Sequence, residues 1–253
     1  MRLMIVGAHP ADAVDLAGGI IAQHAGMGDE ISVVIVTDGM DSHTKGISSF
    51  GEKRDEVCAA LSNLTNSVVL TKFLFMGLKD EPFIPVRNNI ISLVELIRQC
   101  QPDILITHHP NEYAHWDHAE VGKMVCRALK GAIKRPGNDK WWINNVYFFA
   151  SQFRPEVERI GYVPQAPDVL IDITASIEKK IKAMCCFKSQ GHDNEGVMRE
   201  RMNSFEREMG RADGLSYAEG FISYYPLKMR ILPVSTFNQG FYNKDKEEKE
   251  DGS

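Results

Sequence analysis

Four polar clusters in the chain combine residue types that suit metal-assisted chemistry. They are His9-Pro10-Ala11-Asp12, TDGMDSH (37–43), HHPNEYAHWDH (108–118) and SQGH (189–192). The chain has eight histidines, and the third cluster holds four of them within eleven residues. Imidazole and carboxylate groups together are good ligands for zinc and similar divalent metals. The first and third clusters therefore contain candidate metal ligands.

The spacing of three residues within these clusters favours a shared site. His9 and Asp12 lie three positions apart across a turn that enters a predicted helix, so both side chains can face one point. His118 begins the helix that follows a later strand. Two histidines and one carboxylate leave a coordination position open, which is typical of a catalytic metal site. We expect His9, Asp12 and His118 to bind Zn²⁺ or another divalent metal.

Short apolar runs alternate with longer amphipathic stretches, which indicates an α/β protein with a mostly parallel sheet. Strands are predicted at 2–8, 31–37, 68–75, 103–108, 144–150 and 168–173, and helices at about 13–27, 52–64, 87–100, 118–131, 175–188 and 194–211. Ligands bind outside the carboxyl ends of the strands in such a sheet. The first three polar clusters follow predicted strand ends, so they are expected along one edge.

Composition limits the classes of protein to which the chain can belong. It has 253 residues, 43% of them hydrophobic, and a net charge of -5, which favours a folded protein and argues against a nucleic-acid partner. No membrane span or signal peptide is apparent, and the five cysteines suggest reduced thiols. We expect a cytoplasmic protein with a small-molecule substrate and no membrane partner. A single domain is predicted over 1–240, followed by a charged, disordered tail over 241–253.

Several motifs resemble the LmbE-like (PIG-L) family of zinc-dependent de-N-acetylases. They are GAHPAD, AGG, TDG and HWDH, followed by PDVLIDIT (167–174), EKK, SQ and AEGF (218–221). The resemblance covers nearly the whole chain and implies a Rossmann-like α/β fold with helices on both faces, in a homo-oligomer. It implies that His9, Asp12 and His118 bind the metal. It also implies that His115 polarises the substrate carbonyl or stabilises an oxyanion, with Asp117 orienting His115.

The chain departs from the family pattern AHPDDE where catalysis needs a base. The first aspartate of that pattern is the deacetylases' general base, and this chain has Ala11 there. A methyl group cannot accept a proton, so another acceptor is expected within hydrogen-bond reach. Asp15, three residues after Asp12, is the first candidate, and Asp41, Glu112 and His115 are others. A helix-stabilising role for Asp15 is an equally good interpretation.

A second branch of the family offers a precedent for this departure. The branch that hydrates 4-oxalomesaconate resembles this chain in having an HxAD turn, and it carries a Gln-x-His where this chain has Gln190-Gly191-His192. Hydration of a double bond beside carboxylates needs a metal and a separately placed acid or base. A missing carboxylate at position 11 is less damaging to that reaction.

Further residues are candidates for contacts with substrate. Lys53 and Arg54 lie close to where the family's deacetylases carry a substrate-binding arginine, and a solvated helix face explains them equally well. Asp41 and His43 share a loop after the second strand, and His192 is a candidate acid, base or substrate contact.

Three functions follow from these residues. The leading hypothesis is a zinc-dependent hydrolase that deacylates an N-acyl amino sugar or a similar small amide by metal-activated water. The alternative is a metal-dependent hydratase, a lyase, acting on an unsaturated polycarboxylate such as 4-oxalomesaconate. The third is a catalytically impaired protein that binds a metal or a small molecule.

Overall fold

A seven-stranded sheet forms the centre of the computed structural model, which describes residues 1–41, 49–66, 71–113, 115–133, 141–150, 161, 165–211, 213–226 and 228–231. The strands are β1 (Arg2–Gly7), β2 (Glu30–Thr37), β3 (Thr71–Leu78), β4 (Ile104–Thr107), β5 (Asn145–Phe149), β6 (Val169–Asp172) and β7 (Ala218–Ser223). Their order is β3-β2-β1-β4-β5-β7-β6. Strands β1 to β5 pair in parallel, whereas β7 runs antiparallel to β5 and β6. The predicted α/β class and mostly parallel sheet are confirmed.

Helices pack on both faces of this sheet. They are α1 (Asp12–Gly26), α2 (Phe50–Thr65), α3 (Arg87–Cys100), α4 (Trp116–Ile133), α5 (Ile177–Met184) and α6 (Glu195–Arg211). Leu3 and Ile5 of β1 join the core formed with α1, α2, α5 and α6. Met4 and Val6 join the core formed with α3 and α4. Because successive strand side chains point to opposite faces, β1 is buried on both, as its continuous apolar run predicts.

Two elements differ from the sequence prediction. The helix expected over 175–188 ends at Met184, because the chain leaves helical geometry to bury Phe187 completely in the core. Strand β7 contains the AEGF motif and was not predicted, since its short sequence lacks a β-branched run. The proposed tail at 241–253 lies outside the described residues. None of the described helices is long and apolar enough to cross a membrane.

Helix α1 is interrupted where a carboxylate from β7 reaches it. Ala17 has non-helical dihedral angles, and the backbone amides of Gly19 and Ile20 donate to Glu219 at 2.7 and 2.9 Å. The Glu219 carboxylate therefore accepts from amides that would lack partners at the start of the second helical segment. Buried Lys180 lies 2.7 Å from the same carboxylate.

The glycine pair of α1 allows close packing against the segment that follows β6. A Cβ atom on Gly19 would lie 2.5 Å from the side chain of Ile173, and one on Gly18 would lie 3.0 Å from Lys180. The AGG, PDVLIDIT, EKK and AEGF motifs therefore meet in one structural junction. This junction fixes α1, whose first residue is Asp12, against the sheet.

Candidate metal centre

The residues expected to bind a metal converge at the carboxyl edge of the sheet. His9 follows β1, Asp12 begins α1, and His118 lies in the first turn of α4. One oxygen, Asp12 Oδ2, lies 3.6 Å from His9 Nδ1 and 3.5 Å from His118 Nε2. His108, which follows β4, brings its Nε2 to 3.0 Å from the same oxygen. The sequence spacing predicted the first three neighbours, and the structure adds His108.

Close packing of α4 against the end of β4 makes this convergence possible. A Cβ atom on Gly122 would lie 2.5 Å from the backbone oxygen of His108. Only a glycine lets the helix approach the strand end this closely. The first turn of α4 consequently holds His118 over His108, with ring centroids 3.9 Å apart.

The outward-facing nitrogens of two histidines are held by carboxylates. His9 Nε2 lies 3.1 Å from Asp117 Oδ2, and His118 Nδ1 lies 2.7 Å from Glu112 Oε1. Each ring therefore directs its other nitrogen toward Asp12. Metal-ligating histidines are characteristically fixed in this way, because the carboxylate selects the tautomer and orients the ring. The donor set and its supporting carboxylates fit a divalent metal, and His9, Asp12 and His118 each belong to at least one group of side chains that could hold such an ion.

Other donors lie close enough to contribute ligands. Three groups have donor atoms within 4.8 Å of one another: His9 with His115 and His118, Asp12 with His108 and His118, and His9 with Asp80 and Asp117. His118 and His9 each belong to two of these groups. The centre is therefore rich in nitrogen and oxygen donors, which suits zinc and other borderline divalent ions.

Opposite charges stabilise the ionised forms of these groups in the metal-free protein. Burial disfavours charged His9, but its hydrogen bonds to Asp117 and Asp12 raise its pKa to about 9. Burial likewise opposes charge on His118, yet Asp12 and Glu112 raise its pKa to about 10. The pKa of Asp12 is held well below its usual value despite burial, since His118, His108 and His9 surround it. Positive charge is therefore favoured at this point, as a metal site requires.

His115 differs from its neighbours because it remains neutral. Burial and the adjacent charges of His118 and His9 lower its pKa to about 4. Its Nδ1 accepts a hydrogen bond from the backbone amide of Asp117 at 3.3 Å. In the neutral ring the proton is consequently on Nε2, where it can be donated to a substrate oxygen.

The Asp117 carboxylate serves His9 and a neighbouring loop. Besides His9, it accepts hydrogen bonds from the backbone amides of Glu81 and Phe83 at 3.0 and 2.7 Å. The resemblance implied that Asp117 orients His115. In the structure the Asp117 backbone amide makes that contact, while its side chain orients His9.

Comparison with known proteins identifies the family of the chain. The sequence model of the PIG-L family, described as GlcNAc-PI de-N-acetylase, matches residues 4–129. The chain belongs to the PIG-L family. The matched span includes every residue of the histidine cluster described above.

The similar proteins include members with two different activities. The 4-oxalmesaconate hydratase of Pseudomonas putida is 28% identical over 243 residues, spanning 88% of this chain and 89% of the relative. A 1D-myo-inositol 2-acetamido-2-deoxy-alpha-D-glucopyranoside deacetylase of Rhodococcus erythropolis is 25% identical over 196 residues, spanning 66% and 67%. The solved 4-carboxy-2-hydroxymuconate hydratase of Pseudomonas putida has a TM-score of 0.74 at 25% identity, covering 92% of this chain and 99% of that one. The PIG-L family thus contains deacetylases and a hydratase.

The position that departs from the PIG-L deacetylase pattern is closed to solvent. Ala11 is 5% exposed and its methyl group belongs to the apolar core beside α1. It precedes α1 without a side-chain capping bond. No proton acceptor can therefore come from residue 11.

The first replacement considered for the missing base, Asp15, does not join the histidine cluster. Its carboxylate forms a two-point ion pair with Arg201 of α6, at 2.6 and 3.3 Å. It also faces buried Lys180 and Glu206. Asp15 lies in the first turn of α1, as the helix-stabilising interpretation expects, and its ion pair also fixes α1 against α6.

Glu112 and Asp41, two other candidate bases, occupy supporting positions. Glu112 lies behind His118, and although burial opposes its charge, hydrogen bonds from His108 and His118 lower its pKa to about 2. The backbone amide of Asp41 donates to Asp80 Oδ1 at 3.0 Å, and its side chain is exposed. Asp41 therefore contacts the histidine cluster only indirectly: its backbone amide binds Asp80, which lies beside His9 and Asp117.

Lys53, the first candidate substrate contact, is buried. Lys53 is 1% exposed, and burial lowers its pKa while Glu56, Asp80 and Asp38 oppose that effect. Lys53 is therefore directed inward, toward the same acidic side of the site as Asp80.

The remaining candidates lie elsewhere or outside the described residues. The guanidinium of Arg54 lies 5.9 Å from the ring centroid of Phe73 on an exposed helix face. His192 is half-buried in the connection between α5 and α6, where its backbone amide donates to Phe187. His43 lies outside the described residues.

Sequence reasoning missed two contributors, Glu81 and Asp80. Both lie in the loop after β3, whose predicted strand end carried no histidine to draw notice. Glu81 Oε1 lies 3.5 Å from His115 Nε2, and Asp80 lies within the donor group of His9 and Asp117. Their position after a third parallel strand was the available signal.

Proposed function

We propose that the protein is a metal-dependent hydratase that adds water to the activated double bond of a small unsaturated polycarboxylate. The observation that carries this proposal is Ala11, a core methyl group at the position of the deacetylases' general base. The longer match to the hydratase than to the deacetylase relative supports it. The name of that relative gives 4-oxalomesaconate as its substrate, and this compound is the first to test.

The metal would be held by His9, Asp12 and His118. A divalent ion there supplies a Lewis acid that polarises a carbonyl or carboxylate oxygen of the substrate. Asp117 and Glu112 fix the two imidazoles from behind.

His115 supplies the hydrogen bond that the developing negative charge needs. Addition of water to a conjugated double bond moves electrons toward the carbonyl oxygen. The neutral ring of His115, with its proton on Nε2, donates to that oxygen without giving up a full proton. Its ring packs between those of His9 and His118, with centroids 4.5 and 4.6 Å away, which fixes the direction of the donor.

Amide hydrolysis is the second candidate, and the family match favours it. The matched family is described as a de-N-acetylase, and the match to the deacetylase relative spans 67% of that relative's length. The His115 donor suits a tetrahedral oxyanion as well as an enolate.

We also propose that the protein acts in the cytoplasm, because its five cysteines are all free thiols.

Ultraviolet absorbance tests the proposed function. The zinc-loaded protein should bleach the conjugated absorbance of 4-oxalomesaconate or its enol, and should release no acetate from N-acetylglucosamine derivatives. His115→Gln should lower kcat by roughly 10²–10³, as expected for loss of one oxyanion donor. His109→Gln is the matched control, because His109 packs against Phe148 at the same strand end and should leave kcat unchanged. Acetate release with no bleaching would favour amide hydrolysis, and neither reaction would favour a binding protein.

A further inference from the structure

Glu81 lies on the accessible side of the histidine cluster. Its side chain is 44% exposed, and the side chain of His115, which it faces, is 28% exposed. The side chains of His9, Asp12 and His118 are much more deeply buried. A molecule that enters the site from solvent therefore meets Glu81 and His115 together.

The backbone of Glu81 is held in an unusual conformation by the site itself. Its φ angle is +43°, a region that residues other than glycine rarely adopt. Both oxygens of buried Asp117 bind the amides of Glu81 and Phe83 and so hold the loop in this form. Such conformations persist where the surrounding contacts determine them and where function benefits. Asp117 thus couples the placement of Glu81 to that of His9.

The other carboxylates near His115 are unavailable for proton transfer with substrate. Asp12 faces three imidazoles, and Glu112 binds His118 and His108 from behind. Asp117 is fully buried with three hydrogen bonds, and Asp80 is also buried. Among the described residues, Glu81 is the carboxylate next to His115 that is open to solvent.

We propose that Glu81 is the acid–base carboxylate of this site and performs the proton transfer for which residue 11 has no group. The proposal rests on the proposed function and names a catalytic residue for it. The geometry that supports it is the 3.5 Å approach of Glu81 Oε1 to His115 Nε2 at the mouth of the site.

The step balances for hydration of a conjugated double bond. A water O–H bond breaks and its proton passes to a Glu81 oxygen, while the water oxygen bonds to the carbon conjugated with the carbonyl. The π electron pair moves toward the carbonyl oxygen, which accepts the hydrogen bond from His115. The proton then passes from Glu81 to the neighbouring carbon, so one water is added and Glu81 returns to its initial form.

Steady-state kinetics of Glu81→Gln test this assignment. We expect kcat for hydration to fall by about 10²–10⁴, the usual contribution of general acid–base catalysis, with KM changed less than about threefold. Glu81→Asp should recover part of the lost kcat. Glu95→Gln is the matched control, because Glu95 is an exposed α3 residue paired with Arg98. Zinc stoichiometry and the unfolding midpoint should match wild type in all three variants, since Gln keeps the backbone amide that binds Asp117.

The outcomes separate this assignment from the function on which it rests. If wild type hydrates the substrate and Glu81→Gln keeps its kcat, Glu81 is not the acid–base group and the hydratase stands. A large rise in KM at constant kcat would make Glu81 a binding residue and also overturn the assignment. If wild type hydrates nothing, the proposed function fails and the role of Glu81 fails with it.

Discussion

The charge state of each histidine in the cluster depends on the groups around it. His9, His115 and His118 are chemically identical, yet two have a raised pKa and one has a lowered pKa. Buried carboxylates hold His9 and His118 at 3.1 and 2.7 Å. His115 accepts a hydrogen bond from a backbone amide, lies beside two imidazoles, and has the more exposed Glu81 carboxylate at 3.5 Å. The difference is consistent with the proposed roles, metal binding for His9 and His118 and hydrogen-bond donation for His115. Sequence alone shows the three histidines but not these contacts. Asp117 lies 108 residues from His9, and the contacts of His115 and His118 depend on how the loop before α4 folds.

The raised pKa values predict how metal binding depends on pH. In the metal-free protein His9 and His118 have pKa values of about 9 and about 10, so both rings are protonated at neutral pH. A metal binds only the neutral ring, and binding must therefore release these protons. Apparent zinc affinity should rise as pH increases toward 9, by up to about tenfold per pH unit for each proton released.

Calorimetric titration in buffers of different ionisation enthalpy measures the proton count. Near pH 7 we expect release of about two protons per zinc ion in wild type and about one in His9→Gln. Zinc affinity that stays constant between about pH 6.5 and pH 8.5, with no proton release, would contradict the ligand assignment.

At the scale of elements, the position of helix α1, and with it that of Asp12, is fixed by a junction that lies away from the histidine cluster. The break at Ala17, the Glu219 carboxylate and the glycine pair set the helix against Ile173 and Lys180. The motifs that form this junction were visible in the sequence only as a family resemblance. Their structural purpose depends on β7, which the sequence did not reveal, because Glu219 lies 200 residues from Gly19.

Two glycine substitutions in α1 test the close packing at this junction. Gly19→Ala should destabilise the protein by roughly 1–3 kcal/mol, because the new methyl group would overlap Ile173. Gly26→Ala, in the same helix with nothing within 4 Å, should be neutral or stabilising by up to about 1 kcal/mol. Urea unfolding of both variants measures the difference. Equal stability of the two would show that α1 does not pack closely at Gly19.

At the scale of the whole molecule, the parallel sheet is what assembles the site. Strands β1, β4 and β3 end at one edge, and the loops that follow them carry His9, His108 and Asp80. Alternating apolar and amphipathic segments made that edge predictable, and with it the meeting of His9, Asp12 and His118. The acid–base partner was not predictable, since Glu81 has no distinctive neighbours in sequence and its placement depends on Asp117.

The metal-assisted hydration proposed for this site is tested most directly by one proton NMR time course. Zinc-loaded wild-type protein is incubated with 4-oxalomesaconate and N-acetylglucosamine in the same tube. We predict that the vinyl signal of the polycarboxylate disappears and methylene signals of the hydrated product replace it, while no free acetate signal grows. Growth of the acetate signal with an unchanged vinyl signal would contradict the account, as would no change in either compound over the same period.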